Sequence, residues 1–168
     1  MDWKGLEIHP EVPKPGLRLS QLLGPGRIET LWANVDYLAA SVGLKLKRPQ
    51  HLPNSHWALE AAEFAKEKGR LKEFHDRVFN AYFEEGEDIG SLEALAAIGQ
   101  RCGLDPAELK ESLQAGHYYP IIEQYRQEAK ERQVTGVPTY IIGSYPLVGA
   151  QPYEIMKRAT EKALEQAS

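Results

Sequence analysis

The sequence predicts an α/β domain in which a strand near the start and a hairpin near the end bracket a large helical insertion. Segment after segment between residues 20 and 133 repeats its apolar residues at helical spacing. The run Thr139-Tyr140-Ile141-Ile142 then changes to strand formers, and a last helical pattern follows Pro152. No internal repeat, low-complexity tract or linker divides the 168 residues, which suffice for a single domain with a real core. The expected layout is a strand within 1–10, a mainly helical insertion over 20–133, and a loop, hairpin and helix over 134–168.

Each element has its own local reason. Leu6-Glu7-Ile8 alternates apolar and charged residues, and Pro10, Pro13 and Pro15 stop it, so a short strand and an extended arm are expected. Between 21 and 42 the residues Leu31, Trp32, Val35, Leu38, Ala39 and Val42 recur at helical spacing after the turn Gly24-Pro25-Gly26, and Gly43 ends the helix. Residues 44–53 alternate, hold two prolines and read as an extended connection. Asn54 is a good N-cap for a helix rich in alanine, through Ala58, Ala61, Ala62 and Ala65, which Gly69 terminates. Over 71–84, Leu71, Phe74, Val78, Phe79, Tyr82 and Phe83 form a broad apolar face. Ser91 caps the next helix, and Asp105-Pro106-Ala107-Glu108 combines an N-cap, a proline at the first helical position and a glutamate three residues beyond the cap. A helix through Ile121, Ile122, Tyr125 and Ala129 precedes the change of character at Val134. Gly143-Ser144 turns the strand of 139–142 back as Pro146-Leu147-Val148, and Pro152 opens the last helix.

Composition excludes several functions. A net charge of −4 with 26% charged residues has no basic excess for a nucleic acid. The N-terminus lacks a secretion signal, and no run approaches the roughly 18 apolar residues of a membrane span, so a cytoplasmic location is expected. The five histidines, at 9, 51, 56, 75 and 117, lack ligand spacing, so neither a metal nor a cofactor is expected. Cys102 is the only cysteine, so the chain has no CxxC pair and no internal disulfide.

Thr135-Gly136-Val137-Pro138-Thr139-Tyr140-Ile141-Ile142, followed by Gly149-Ala150-Gln151-Pro152, resembles the C-terminal part of the DsbA family of thioredoxin-fold oxidoreductases. Glu7-Ile8-His9-Pro10, the stretch 37–44 and Pro53-Asn54-Ser55 look like its FrnE-like branch, so the resemblance covers nearly the whole chain. It implies a thioredoxin-like fold with a helical insertion, a cis Val137–Pro138 bond, and a loop of Gly136, Val137, Pro138 and Thr139 that receives an extended peptide or small thiol. X-Pro is the bond at which cis costs only about 0.5–1 kcal/mol relative to trans. The family's CxxC lies after its first strand, at the start of its first helix, whereas this sequence begins near the family's second strand. That strand lies mid-sheet in the family fold, so its absence leaves edges unpaired, and a homodimer or a complementing polypeptide is the expected remedy.

The resemblance therefore implies a FrnE-type protein disulfide oxidoreductase family member that is redox-inactive as given, with no catalytic residue assigned. Two alternatives stand beside it: a non-catalytic peptide- or thiol-binding module, and a relative of the glutathione-dependent 2-hydroxychromene-2-carboxylate isomerases and kappa-class glutathione transferases, which share parts of the middle segment. Bland readings accompany the sharper ones. Cys102 at a helix C-terminus reads as a structural thiol, because the macrodipole there disfavours a thiolate. Asn54 reads as a cap, Trp32 and Trp57 as core, Tyr118-Tyr119 as turn packing, and His56 has no partner visible in the sequence that would make it a base.

Overall fold

The computed structural model describes residues 1–167. Packing divides the chain into two compact units, Met1–Glu123 and Gln124–Ser168. The division falls inside a helix, ahead of the change of character at Val134.

The first unit opens with an arm, residues 1–16, that contains neither helix nor strand. The strand expected at Leu6-Glu7-Ile8 is therefore absent, and its alternation runs inside out: Ile8 is 47% exposed, while the Glu7 side chain is 9% exposed. A charged residue drawn inward by a partner defeats a pattern that assumes charge faces water. The first strand is instead β1, Leu17–Arg18, paired antiparallel with β2, His51–Leu52. Gly16 makes this pairing possible, because at its φ of 73° a Cβ would lie 2.4 Å from the His51 ring.

One short turn, α1 (Leu19–Leu22), follows, and Gln21 Oε1 accepts from the Arg18 N–H at 2.7 Å. Next comes α2 (Pro25–Ser41), with Pro25 at the first helical position. Trp32 and Ala39 are buried, whereas Leu38 and Val42 are not.

The core lies among α3 (His56–Glu67), α4 (Leu71–Asn80), α5 (Leu92–Arg101) and α6 (Pro106–Ala115). Phe64, Phe74, Leu95, Ile98, Leu109 and Leu113 are closed off there, and the small residues Ala61 and Ala65 let α3 approach its neighbours closely. Gly99 does the same for α5, since a Cβ there would lie 2.8 Å from Leu109 Cδ2. One π turn, Ala81–Glu85, follows α4, and the extended segment 44–50 supplies donors to its carbonyls. The Lys47 N–H donates to the Phe83 carbonyl at 2.7 Å, and Lys47 Nζ donates to the Glu85 carbonyl at 3.2 Å.

Caps act as the sequence marks them, with two adjustments. Asn54 precedes the cap position, held by Ser55, and its side chain works on both sides: Oδ1 accepts from the His56 N–H, and Nδ2 donates to the Val12 carbonyl at 2.6 Å. Asp105 accepts from the Ala107 and Glu108 N–H groups, both at 2.8 Å, while the Glu108 carboxylate turns outward to Lys68. Asp105→Ala is expected to cost about 1 kcal/mol, read as a lower urea midpoint at unchanged slope.

The helix α7, Tyr119–Glu131, runs across the boundary between the units. In the second unit follow β3 (Thr139–Ile142), β4 (Tyr145–Val148) and α8 (Tyr153–Ala167). β3 and β4 form an antiparallel hairpin, and α8 packs on β3. No helix among the described residues is long and apolar enough to cross a membrane.

Candidate functional site

The loop ahead of β3 is shaped from both ends. At its start α7 closes on Gln133, whose φ of 55° lies in the left-handed region, and the Val134 N–H donates back to the Ala129 carbonyl at 2.8 Å. Glycine is the usual residue for such a cap, so this stop carries no composition signal. At the loop's end the Val137–Pro138 bond is cis. Thr139 Oγ1 donates to the Gly136 carbonyl at 2.6 Å, and the Gly149 N–H donates to the Pro138 carbonyl at 2.7 Å. Gly136, Val137, Pro138 and Thr139 are thus brought together at the mouth of the hairpin, in one turn pinned by side chain and backbone alike.

What the turn offers outward is backbone. Val137 is 50% exposed, and its N–H and C=O have no hydrogen-bond partner among the described residues. A Cβ on Gly136 would meet nothing within 4 Å, so an incoming chain has room. An exposed amide and carbonyl beside a small apolar side chain can pair with an extended segment, as an added strand does. The loop has no titratable group, and it holds or orients rather than transfers protons.

Cys102 belongs to the first unit, where it ends α5 as a free thiol. Burial pushes its pKa up, the carboxylate of Glu73 pushes the same way, and only Arg77 opposes them. A thiol held protonated is a poor nucleophile, in keeping with a structural role.

The first unit also holds a cluster that sequence reasoning missed. His56 lies between two carboxylates, with Nδ1 3.2 Å from Glu7 Oε2 and Nε2 3.2 Å from Glu60 Oε1. Glu60 is 1% exposed, and its second oxygen accepts from the Tyr118 N–H at 3.2 Å. Burial pushes the Glu60 carboxyl above its ordinary range, against the pull of His56 and the Tyr118 and Tyr119 amides. The Tyr119 ring packs on the imidazole at 5.2 Å. The Glu60 spacing was visible, since 56 and 60 share a helical face. Glu7 lies 49 residues away, and nothing local announced it. These contacts tie the arm and the start of α7 to α3. Among the described residues no group of three or more potential ligands could hold a metal ion.

The model of the DSBA-like thioredoxin domain family matches residues 1–161. The chain belongs to that family. A curated relative, the uncharacterized protein YwbO of Bacillus subtilis (strain 168), is 28% identical over 162 residues, which are 95% of this chain and 80% of the relative. Among solved structures, a probable DsbA oxidoreductase from Streptomyces coelicolor superposes with a TM-score of 0.84 at 24% identity, over 96% of this chain and 74% of that one. A 2-hydroxychromene-2-carboxylate isomerase superposes with a TM-score of 0.72 at 22% identity, over 83% of this chain and 68% of that one. At such identities the likeness concerns fold: this is a DsbA-like thioredoxin fold, mostly helical with small sheets. The 168 residues contain one cysteine, Cys102, and no CxxC pair.

Proposed function

We propose that this DsbA-like chain is of the FrnE type and holds an extended peptide or a small thiol compound at the Gly136–Thr139 turn without turning it over. The observation that carries this reading is the pinned turn itself, with the free backbone groups of a half-exposed Val137 beside a cis proline. A dithiol–disulfide cycle needs two cysteines in one chain, and this sequence contains one, Cys102, whose pKa burial pushes up. A cytoplasmic setting suits a lone unpaired cysteine.

The test uses a fluorescently labelled, alkylated insulin B chain as an extended peptide. Saturable binding is expected from the anisotropy, weakened about tenfold or more by Val137→Asp, which sets an unpaired charge where the peptide must dock. The same chain is expected to leave insulin reduction by dithiothreitol at the uncatalysed rate. Acceleration would overturn the claim of binding without turnover, and failure to bind any extended peptide would overturn the site. Superposition on the isomerase motivates a second reading, a glutathione-binding relative. Saturable binding of glutathione in preference to the peptide would favour it.

A further inference from the structure

The turn ahead of β3 sets its backbone groups one peptide unit at a time. The Gly136 carbonyl accepts from Thr139 Oγ1 at 2.6 Å, and the Pro138 carbonyl accepts from the Gly149 N–H at 2.7 Å. The Gly136 carbonyl and the Val137 N–H belong to one rigid planar unit, and because that peptide is trans they point in opposite directions. A bond that holds the carbonyl toward Thr139 therefore aims the N–H away from it. That N–H has no hydrogen-bond partner among the described residues. The Val137 carbonyl belongs to the next unit, shared with Pro138, which has no N–H, so an acceptor alone is on offer there. Little else steadies the Gly136–Val137 plane. Gly136 has no Cβ, and one built there would meet nothing within 4 Å, so no side-chain contact restricts its rotation. Val137 is 50% exposed and is not locked by packing. Thr139 is half-buried and β-branched, with a χ1 confined to few settings, and its hydroxyl is a fixed donor.

We propose that Thr139 is a positioning residue: its hydroxyl fixes the Gly136–Val137 peptide plane so that the turn presents an N–H donor beside the Val137 carbonyl, the pair that an extended backbone requires. The ligand rests on the peptide-holding reading above, whereas the orientation of the plane rests on the hydrogen bonds alone. Thr139→Val keeps the shape of the side chain and removes the donor. The Gly136 carbonyl is then half-buried without a partner, and it gains one by turning to water, which carries the Val137 N–H inward. In that state the turn offers two carbonyls and no donor, and a visiting backbone, whose own carbonyl must meet an N–H, finds only half of its pairing. Binding then requires the plane to turn back, and the apparent affinity falls by the fraction of time the N–H faces outward. Thr139→Ser retains the donor and with it the plane.

Two measurements on the isotope-labelled chain test it. The residual dipolar coupling of the Val137 N–H in a weakly aligning medium reports the plane without any ligand. It is expected to be the same in the wild type and Thr139→Ser and to change in Thr139→Val, while the couplings of Tyr140, Ile141 and Ile142 stay as they are. Anisotropy of the labelled, alkylated insulin B chain reports the affinity. Kd is expected to rise about tenfold in Thr139→Val and to stay within about threefold of the wild type in Thr139→Ser. The loss in Thr139→Val is expected to equal the inverse of the outward fraction that the coupling gives, a match that a merely stabilising hydroxyl would not produce. An unchanged Val137 coupling in Thr139→Val would overturn the proposal, whether or not peptide binds. So would a loss of affinity as large in Thr139→Ser as in Thr139→Val. A coupling that changes as expected in a chain that binds no peptide would support the hold of Thr139 on the plane and overturn the peptide-holding reading instead.

Discussion

Phe74→Ala is expected to destabilise the first unit by about 3–5 kcal/mol, a large share of the roughly 5–15 kcal/mol that holds a typical domain folded. The side chain is 1% exposed and sits on α4 within the cluster that also buries Phe64, Leu95, Ile98, Leu109 and Leu113. Removing the ring loses its transfer energy and leaves a cavity that four packed helices cannot close without moving. Phe79, one turn and a half further along the same helix, is 51% exposed, and Phe79→Ala is expected to cost no more than about 1 kcal/mol. Urea unfolding followed by circular dichroism separates the two. Equal losses would mean that α4 does not present Phe74 to the core in solution.

Glu60→Ala is the second large effect, about 3 kcal/mol, because it leaves the part-buried Tyr118 N–H without an acceptor and the His56 ring without one of its carboxylates. Glu60→Gln keeps an acceptor for Tyr118 and is expected to cost less than Glu60→Ala. The carboxyl of Glu60 is raised above 4.5 by burial, so in the window between 4.5 and its folded value the folded chain retains a proton that the unfolded chain has released. Stability from this group is therefore complete below 4.5 and is lost as pH rises through the folded value. The glutamine variant has no such proton, so its midpoint relative to wild type is expected to improve as pH rises from about 4 to 8. A difference independent of pH would mean that the folded carboxyl titrates in its ordinary range. Glu7→Gln, at the other ring nitrogen, tests the tether: it is expected to loosen the arm, raising amide exchange over 1–16 while α5 and α6 stay protected.

How much of this was legible beforehand depends on how far away each residue's partner lies. Asp105 with Pro106, Ser91, Gly69 and Pro152 act within a turn of their own position, and the helices they mark form where expected. The hairpin of 139–148 was equally plain, because strand formers, a glycine turn and an edge proline are adjacent in sequence. The 6–8 segment was misjudged for the opposite reason. Alternation says that two faces differ, and it cannot say which faces water once His56 offers the charged residue an inner partner.

By itself, then, the sequence determined the helix starts and stops, the hairpin and the lone thiol, since each depends on neighbours within a few residues or on composition, whereas the turn at Gly136-Val137-Pro138-Thr139 was expected only from the family resemblance. Tertiary structure alone decided that β1 forms at Leu17–Arg18 against His51–Leu52, that Glu7 and Glu60 share His56, and that Gln151 takes up the Val148 carbonyl. The energy of those contacts comes from groups taken out of water together, and which groups meet there is settled only when the chain is folded.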